Sequence, residues 1–407
     1  MKYFFTILIL LLGFVLLSCS GDKSPESFNT RGGADRDNDY EALGTFLTNV
    51  YSVEKIEMSD SSAAIVPPLI LDGLYFYLAT VNGSVALVKE RSAKWAITLP
   101  DSQYVVAGMC ADSDKNLYLV TNKGEIISFD KKGKKRWSYL HPVVRDSNFI
   151  FDALLAQKDG ILVSAEPGLL FKLSLAGKKM WEFNHKHWTV RTFAADAVGN
   201  IAFPSTQNDF EKADTIYFIS SGGKVKWKKA FAKTRILKNP VIYKNLIVYP
   251  ASYMLGDTRL YLLIALDTTG KQVWRKELNI MPEYISCGHD RVYLLAFNSG
   301  YGETMSGIFA YDMKGNLQWK LYTGNKVPAP LLVSEENIAF LGTKGNTAGV
   351  FFLNNNGTLY HSVSLSDAPL FSHKPFVLNV PAVAFMGSEK LFILKIDDTA
   401  IDRVLPW

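Results

Sequence analysis

Between residues 104 and 140 the apolar and β-branched residues fall into four short runs. These are Tyr104–Ala107, Leu117–Thr121, Glu125–Phe129 and Arg136–Leu140, with Asn122-Lys-Gly124 and Asp130-Lys-Lys-Gly133 as turns between the later ones. Runs of this length, bounded by Asn, Asp and Gly, predict short strands joined by hairpins. In the last turn Asp hydrogen-bonds its own backbone and Gly accepts a positive φ. The same Asp-x-x-Gly phrase recurs at Asp267…Gly270 and Asp312…Gly315, with variants at Ser174…Gly177, Ser220…Gly223 and Asn354…Gly357. No segment beyond residue 60 sustains a helical apolar period, so helix is not expected there.

A tryptophan follows these glycines at a fixed offset. The phrases are Gly133…Trp137, Gly177…Trp181, Gly223…Trp227, Gly270…Trp274 and Gly315…Trp319, spaced by 44, 46, 47 and 45 residues. Trp95 keeps the register 42 residues earlier, and Gly357 puts His361 at the same position 42 residues after Trp319. A unit of this length cannot bury its own apolar face, so successive copies must pack on one another. Four-stranded units of about 40–45 residues predict an all-β fold, a β-propeller of antiparallel blades. From Tyr51 to Leu405 is 354 residues, or eight steps of about 44, so eight blades are expected and seven are the fallback. The propeller would cover 46–407, its last blade completed by a strand near Tyr51. The tail Asp402–Trp407 competes for that edge, which an open ring would leave unpaired. The repeated indoles are expected to wedge between blades, each N–H finding a backbone acceptor.

The first residues have another character. One positive charge, Lys2, precedes the apolar run Tyr3–Leu17, which is long enough for a signal-peptide core and short for a membrane span. It ends Leu16-Leu17-Ser18-Cys19, the pattern of a bacterial lipobox, so 1–18 are expected to be removed and Cys19 lipidated. Acyl chains on one residue would anchor the protein stably to a membrane. Ser20 then favours the outer membrane, on its periplasmic face, with the cell surface as the alternative. The polar stretch 19–45 predicts a flexible tether.

Formal net charge is +5, and lysines gather at 131, 132, 134, 135, 178, 179, 224, 226, 228 and 229. Solvated hairpin tips explain them, with contact to anionic lipid as the alternative; secretion argues against nucleic acid. Beyond Cys19 there are only Cys110 and Cys287, expected on the first strands of units on opposite sides of the ring, apart and buried. His185 and His187 share one face of a run beside Trp188 without a third ligand, and His141, His289, His361 and His373 are scattered. No cofactor or metal is expected, and there is no P-loop, G-x-S-x-G or H-E-x-x-H phrase.

The strand, Asp-x-x-Gly-Lys-like turn and Trp resemble the repeat of the pyrroloquinoline-quinone-type propellers. Among these the chain is most similar to the BamB family of barrel-assembly lipoproteins, over residues 49–407. The resemblance implies a non-catalytic scaffold that helps insert β-barrel proteins, contacting a BamA-type protein and unfolded outer-membrane clients. Quinoprotein dehydrogenases share the repeat, but their paired cysteines and calcium ligands have no counterpart here, leaving a degenerate quinoprotein as a lesser alternative beside a ligand- or cell-wall-binding lipoprotein. The family's Leu-x-Leu-Arg loop against the BamA-type protein is matched loosely by Trp188-Thr-Val190-Arg191, followed by Ala194-Ala195 in place of Ser-Ala-Pro. A second partner surface is expected from loops that lengthen at Ser205–Asp214, Ala251–Thr258 and Asn298–Ser306. They carry Phe210, Tyr253, Met254, Leu255, Tyr301 and Met305, the composition of a protein-binding patch.

Overall fold

The computed structural model describes residues 28–29, 39–40, 51–57, 66, 69–72, 75–89, 92–142, 150–184, 193–206, 214–256, 258–298, 305–322, 331–334, 337–344, 347–365, 376–378, 382–386 and 390–396. Every regular element among them is a strand, and the strands fall into eight sheets. Six sheets carry one of the repeated tryptophans on the fourth strand. The Trp137 sheet is typical: Val105–Ala111, Leu117–Thr121, Glu125–Phe129 and Lys135–Leu140, in that order and antiparallel.

Burial grades outward along the sheets that carry Trp137 and Trp227. The second strands Leu117–Thr121 and Ile201–Ser205 are buried at every position, because both faces meet neighbouring sheets. The fourth strands Lys135–Leu140, Lys179–Asn184, Val225–Ala230 and Leu317–Tyr322 never become fully buried; exposed and half-buried positions alternate toward their ends. The core therefore lies between sheets. One cluster joins Cys110, Tyr118 and Ile126 of the Trp137 sheet to Phe151, Ile161, Val163 and Phe171 of the next.

The glycine and tryptophan of one phrase serve different neighbours. Each hairpin glycine, at φ between +79° and +86°, lies against the indole of the preceding sheet: Gly133 on Trp95, Gly177 on Trp137, Gly223 on Trp181, Gly270 on Trp227, Gly315 on Trp274 and Gly357 on Trp319. A Cβ at those glycines would sit 2.5–2.9 Å from the ring's Cδ2, inside van der Waals contact. Each Nε1–H donates to a carbonyl of that same following hairpin, at Lys131, Leu175, Ser221, Thr268, Met313 and Asn355, over 2.8–3.0 Å. A bulge immediately before each tryptophan aims it across the gap; in the Trp137 sheet Arg136 is left unpaired between Ser128↔Trp137 and Phe129↔Lys135. His361 takes the equivalent register opposite Phe352.

The ends of the chain pair as well. Tyr51–Glu57 runs antiparallel to Lys390–Ile396 as the fourth strand of the last sheet, and Phe376–Leu378 of that sheet meets Leu69–Asp72 of the first. The competing tail 402–407 lies outside the described residues. Two dipeptides in the stretch expected to be a free tether are paired instead: Phe28–Asn29 with Cys110–Ala111, and Asp39–Tyr40, in parallel, with Val333–Ser334. The innermost edge of a sheet offers unpaired N–H and C=O groups to any extended segment passing over it.

Candidate protein-interaction site

The widest departure from the repeat is the hairpin made by Leu246–Leu255 and Thr258–Asp267. The segment Ala251–Thr258, expected to be a loop, is strand: pairing continues through Met254↔Arg259 to Leu255↔Thr258, leaving a two-residue turn that begins at Gly256 with φ +59°. Strand formers flank a Gly-Asp pair, which is a short-hairpin signal that the flanking polar residues obscured. The sheet's first strand is split in two, Thr234–Ile236 and Val241–Tyr243. The split lies beside Pro250, which has no N–H to donate and whose carbonyl accepts from Leu237 N at 3.0 Å.

The hairpin stands on a buried anchor. Asp214, 2% exposed, ends the neighbouring sheet's second hairpin, where its Oδ2 accepts from Ile236 N at 2.7 Å and its Oδ1 lies 3.4 Å from Arg235 Nη1. At the tip, Met254 and Leu255 are 44% and 64% exposed. Tyr253 beside them is half-buried; its hydroxyl donates to Glu277 Oε1 at 3.2 Å, and the Arg275 guanidinium lies 4.8 Å from its ring centroid. Two uncovered apolar side chains on a paired hairpin, beside a tyrosine held by charged neighbours, have the composition of a protein-binding patch.

Sequence reasoning missed a groove beside this hairpin. It measures about 470 Å³ and runs between the fourth strand Gln272–Leu278 and the next sheet, with Lys276, Glu277, Tyr311, Leu317, Lys320 and Tyr322 on its walls. Leu317 and Tyr322 are about half exposed, and the Lys320 ammonium lies 5.5 Å from the Tyr322 ring centroid. Burial pushes the Tyr311 phenol above its ordinary range, so it stays a neutral hydroxyl. The signal was present in Leu317-Gln-Trp-Lys-Leu-Tyr322, which puts apolar residues at both ends of an outermost strand.

Among the other expected site residues, Met305 begins a strand opposite Asn298, so the expected loop shortens to 299–304. Ser205 likewise pairs with Thr215, leaving a shorter turn. Cys19, Trp188, Val190, Arg191, Phe210, Tyr301, His185 and His187 lie outside the described residues. Cys110 and Cys287 are buried and form no disulfide, and they belong to the clusters of different sheets. His141 is buried with its ring 4.8 Å from Phe171 and its Nε2 3.3 Å from Glu182 Oε2; burial lowers its pKa against the pull of that carboxylate. His289 Nδ1 meets the Tyr293 hydroxyl at 2.9 Å, in another sheet. Among the described residues no group of three or more His, Cys, Asp or Glu is arranged to hold a metal ion, and no helix is long and apolar enough to cross a membrane.

Solved structures share this architecture. BamB from Moraxella catarrhalis is 17% identical, with a TM-score of 0.57 over 86% of this chain and 98% of that one. The C-terminal WD40 domain of Sif2 is 12% identical, with a TM-score of 0.62 over 86% and 99%, and the Dos1 propeller 10% identical, with 0.58 over 84% and 95%. The fold is a β-propeller. No protein-family model matches the sequence, and no curated protein matches it either. At these identities the likeness concerns the fold, which hosts many unrelated functions.

Proposed function

We propose that this chain is a non-catalytic scaffold, an eight-bladed propeller lipoprotein held through Cys19 on the periplasmic face of the outer membrane. There it assists β-barrel insertion by gripping a BamA-type partner and unfolded clients. The observation that carries the reading is the hairpin tip with uncovered Met254 and Leu255 on a rigid propeller whose backbone is similar to that of BamB. Eight sheets, with Tyr51–Glu57 paired to Lys390–Ile396, support a ring closed by its own N-terminal strand. Closure removes the edge that an open ring would expose, and a closed ring is a stable platform for loops and hairpins.

The test is crosslinking and co-purification from intact cells. A BamA-type protein is expected with the unaltered chain, and its recovery should fall at least about ten-fold with Met254→Glu plus Leu255→Glu, as expected for losing apolar anchors at an interface. Arg191→Glu probes the second expected contact in the same way. Cys19→Ser should release the protein from the membrane fraction. Recovery of peptidoglycan instead of a protein would move the reading to a cell-wall-binding lipoprotein.

A further inference from the structure

The lysines that the sequence scatters over a hundred residues are brought side by side by the indole contacts. Trp137 hydrogen-bonds to the hairpin of the Trp181 sheet, and Trp181 to that of the Trp227 sheet, so the three third-to-fourth hairpins and the strands leaving them are consecutive around the rim. Residues 130–140, 174–184 and 220–230 hold eleven lysines and arginines against two acids, a net charge of +9. The whole chain carries +5, so everything else sums to −4. The matching segments of the next two sheets, 267–278 and 312–322, are each at +1.

Asp130, one of the two acids, is turned onto its own backbone, its Oδ1 accepting from Lys132 N and Lys134 N at 2.9 Å. Glu182, the other, is engaged by Lys179 and His141. Lys132, Lys134, Lys178, Lys224, Lys226 and Lys228 are exposed and make no ion pair with any described residue. The apolar side chains of Met180 and Val225 stand uncovered among them, 48% and 44% exposed.

A second observation says which way this belt faces. Tyr51 pairs with Ile396, so the N-terminal segment enters its sheet at the end where the other sheets carry their third-to-fourth hairpin. Phe28, the first described residue after Cys19, pairs with Ala111 at that same end of its sheet, so it too lies on the face that bears the lysine tips.

We propose that this three-sheet belt of hairpin lysines docks on an anionic lipid surface, and that the propeller rests on its membrane by this face. Lysine suits such a partner: a flexible point charge answers a diffuse layer of phosphates, whereas discrete phosphate recognition favours the arginine fork. Only Arg136 of the eleven cations is an arginine. Met180 and Val225 would reach the boundary between headgroups and acyl chains. The direction of the surface rests on the lipid-anchor reading, but the affinity does not.

The experiment uses the chain from residue 20 onward, which keeps every described strand and has no acyl group. Its failure therefore leaves the Cys19 anchor unaffected. Flotation with vesicles of roughly one-third phosphatidylglycerol should recover the protein, pure phosphatidylcholine vesicles should not, and raising the salt should release it. Lys132→Glu, Lys134→Glu, Lys178→Glu and Lys224→Glu together should weaken partitioning by at least about 100-fold, since each nearby lysine contributes about five-fold. Four reversals away from these hairpin tips (Lys123, Lys233, Arg259 and Lys320 to Glu) change the net charge equally and should leave most of the binding. No flotation with the anionic vesicles, or equal loss in both quadruple variants, overturns the proposal. Retention by an acidic protein without any by vesicles overturns it too.

Discussion

Gly177→Ala isolates the contact that repeats around the propeller. Two penalties arise together. An L residue at φ +80° costs about 1–2 kcal/mol, partly offset because alanine restricts the unfolded chain. The new Cβ would also stand 2.6 Å from Trp137 Cδ2 and 2.8 Å from Cε3, where carbon atoms prefer about 3.5–4.0 Å. The indole must then move by roughly 1 Å, straining its 2.9 Å bond to Leu175 O, and overpacking of this kind costs about 1–3 kcal/mol. Together these predict about 3 kcal/mol. Gly256 supplies the control, with φ +59° and no atom within 4 Å of an added Cβ, so Gly256→Ala should cost only about 1 kcal/mol. Trp137→Ala removes the obstacle, and in that background Gly177→Ala should fall to the Gly256→Ala value, a coupling of about 2 kcal/mol. The assay is urea unfolding of the unaltered chain and the four variants followed by circular dichroism, with midpoints compared at a common m. Equal losses for Gly177→Ala and Gly256→Ala, or a loss at Gly177 that survives removal of the indole, would refute the reasoning.

Four further outcomes follow from buried ionisable groups. Lys172 is fully buried with its ammonium on Asp159, which is about half exposed; Lys172→Met should leave stability within about 1 kcal/mol or raise it, while Asp159→Asn, stripping the partner, should cost about 2 kcal/mol in the same urea assay. Burial lowers the Lys172 pKa, so the unfolded chain holds this proton to higher pH than the native one. Stability should therefore rise as pH climbs toward the ordinary lysine range, and Lys172→Met should lack that rise. His141 is also lowered by burial, so the unfolded chain gains its proton first and stability should drop as pH falls below about 6.5; thermal melts between pH 7 and 5 should be flatter for His141→Phe. Asp214→Ala should cost about 2–3 kcal/mol by orphaning Ile236 N and should speed proteolysis within 231–240, with Asp214→Asn milder because it keeps the acceptor.

The repeat was legible because its chemistry is local. Asp, Ser or Asn three residues before a positive-φ glycine specifies a hairpin whatever surrounds it, and these turns appear at Gly133, Gly177, Gly223, Gly270, Gly315 and Gly357. The candidate site was legible only in part. Met254 and Leu255 stood out as exposed apolar residues, but a short apolar–polar stretch does not say whether it stays paired. That depends on a partner strand and on the anchor at Asp214, residues far away along the chain.

From the sequence alone one can derive the four-stranded unit, its period and the residues that mark it, because turn geometry and strand alternation depend on near neighbours. The tertiary structure decided which glycine receives which indole: Gly177 belongs to Trp137, in the unit before it, and not to Trp181 in its own phrase. It also decided that the Leu246–Asp267 hairpin is strand almost to its tip, and that three separate lysine clusters form one belt. Each is a matter of which surfaces meet when sheets stack, and residues some 40 positions apart meet only because burying the faces between sheets outweighs the entropy of bringing them together.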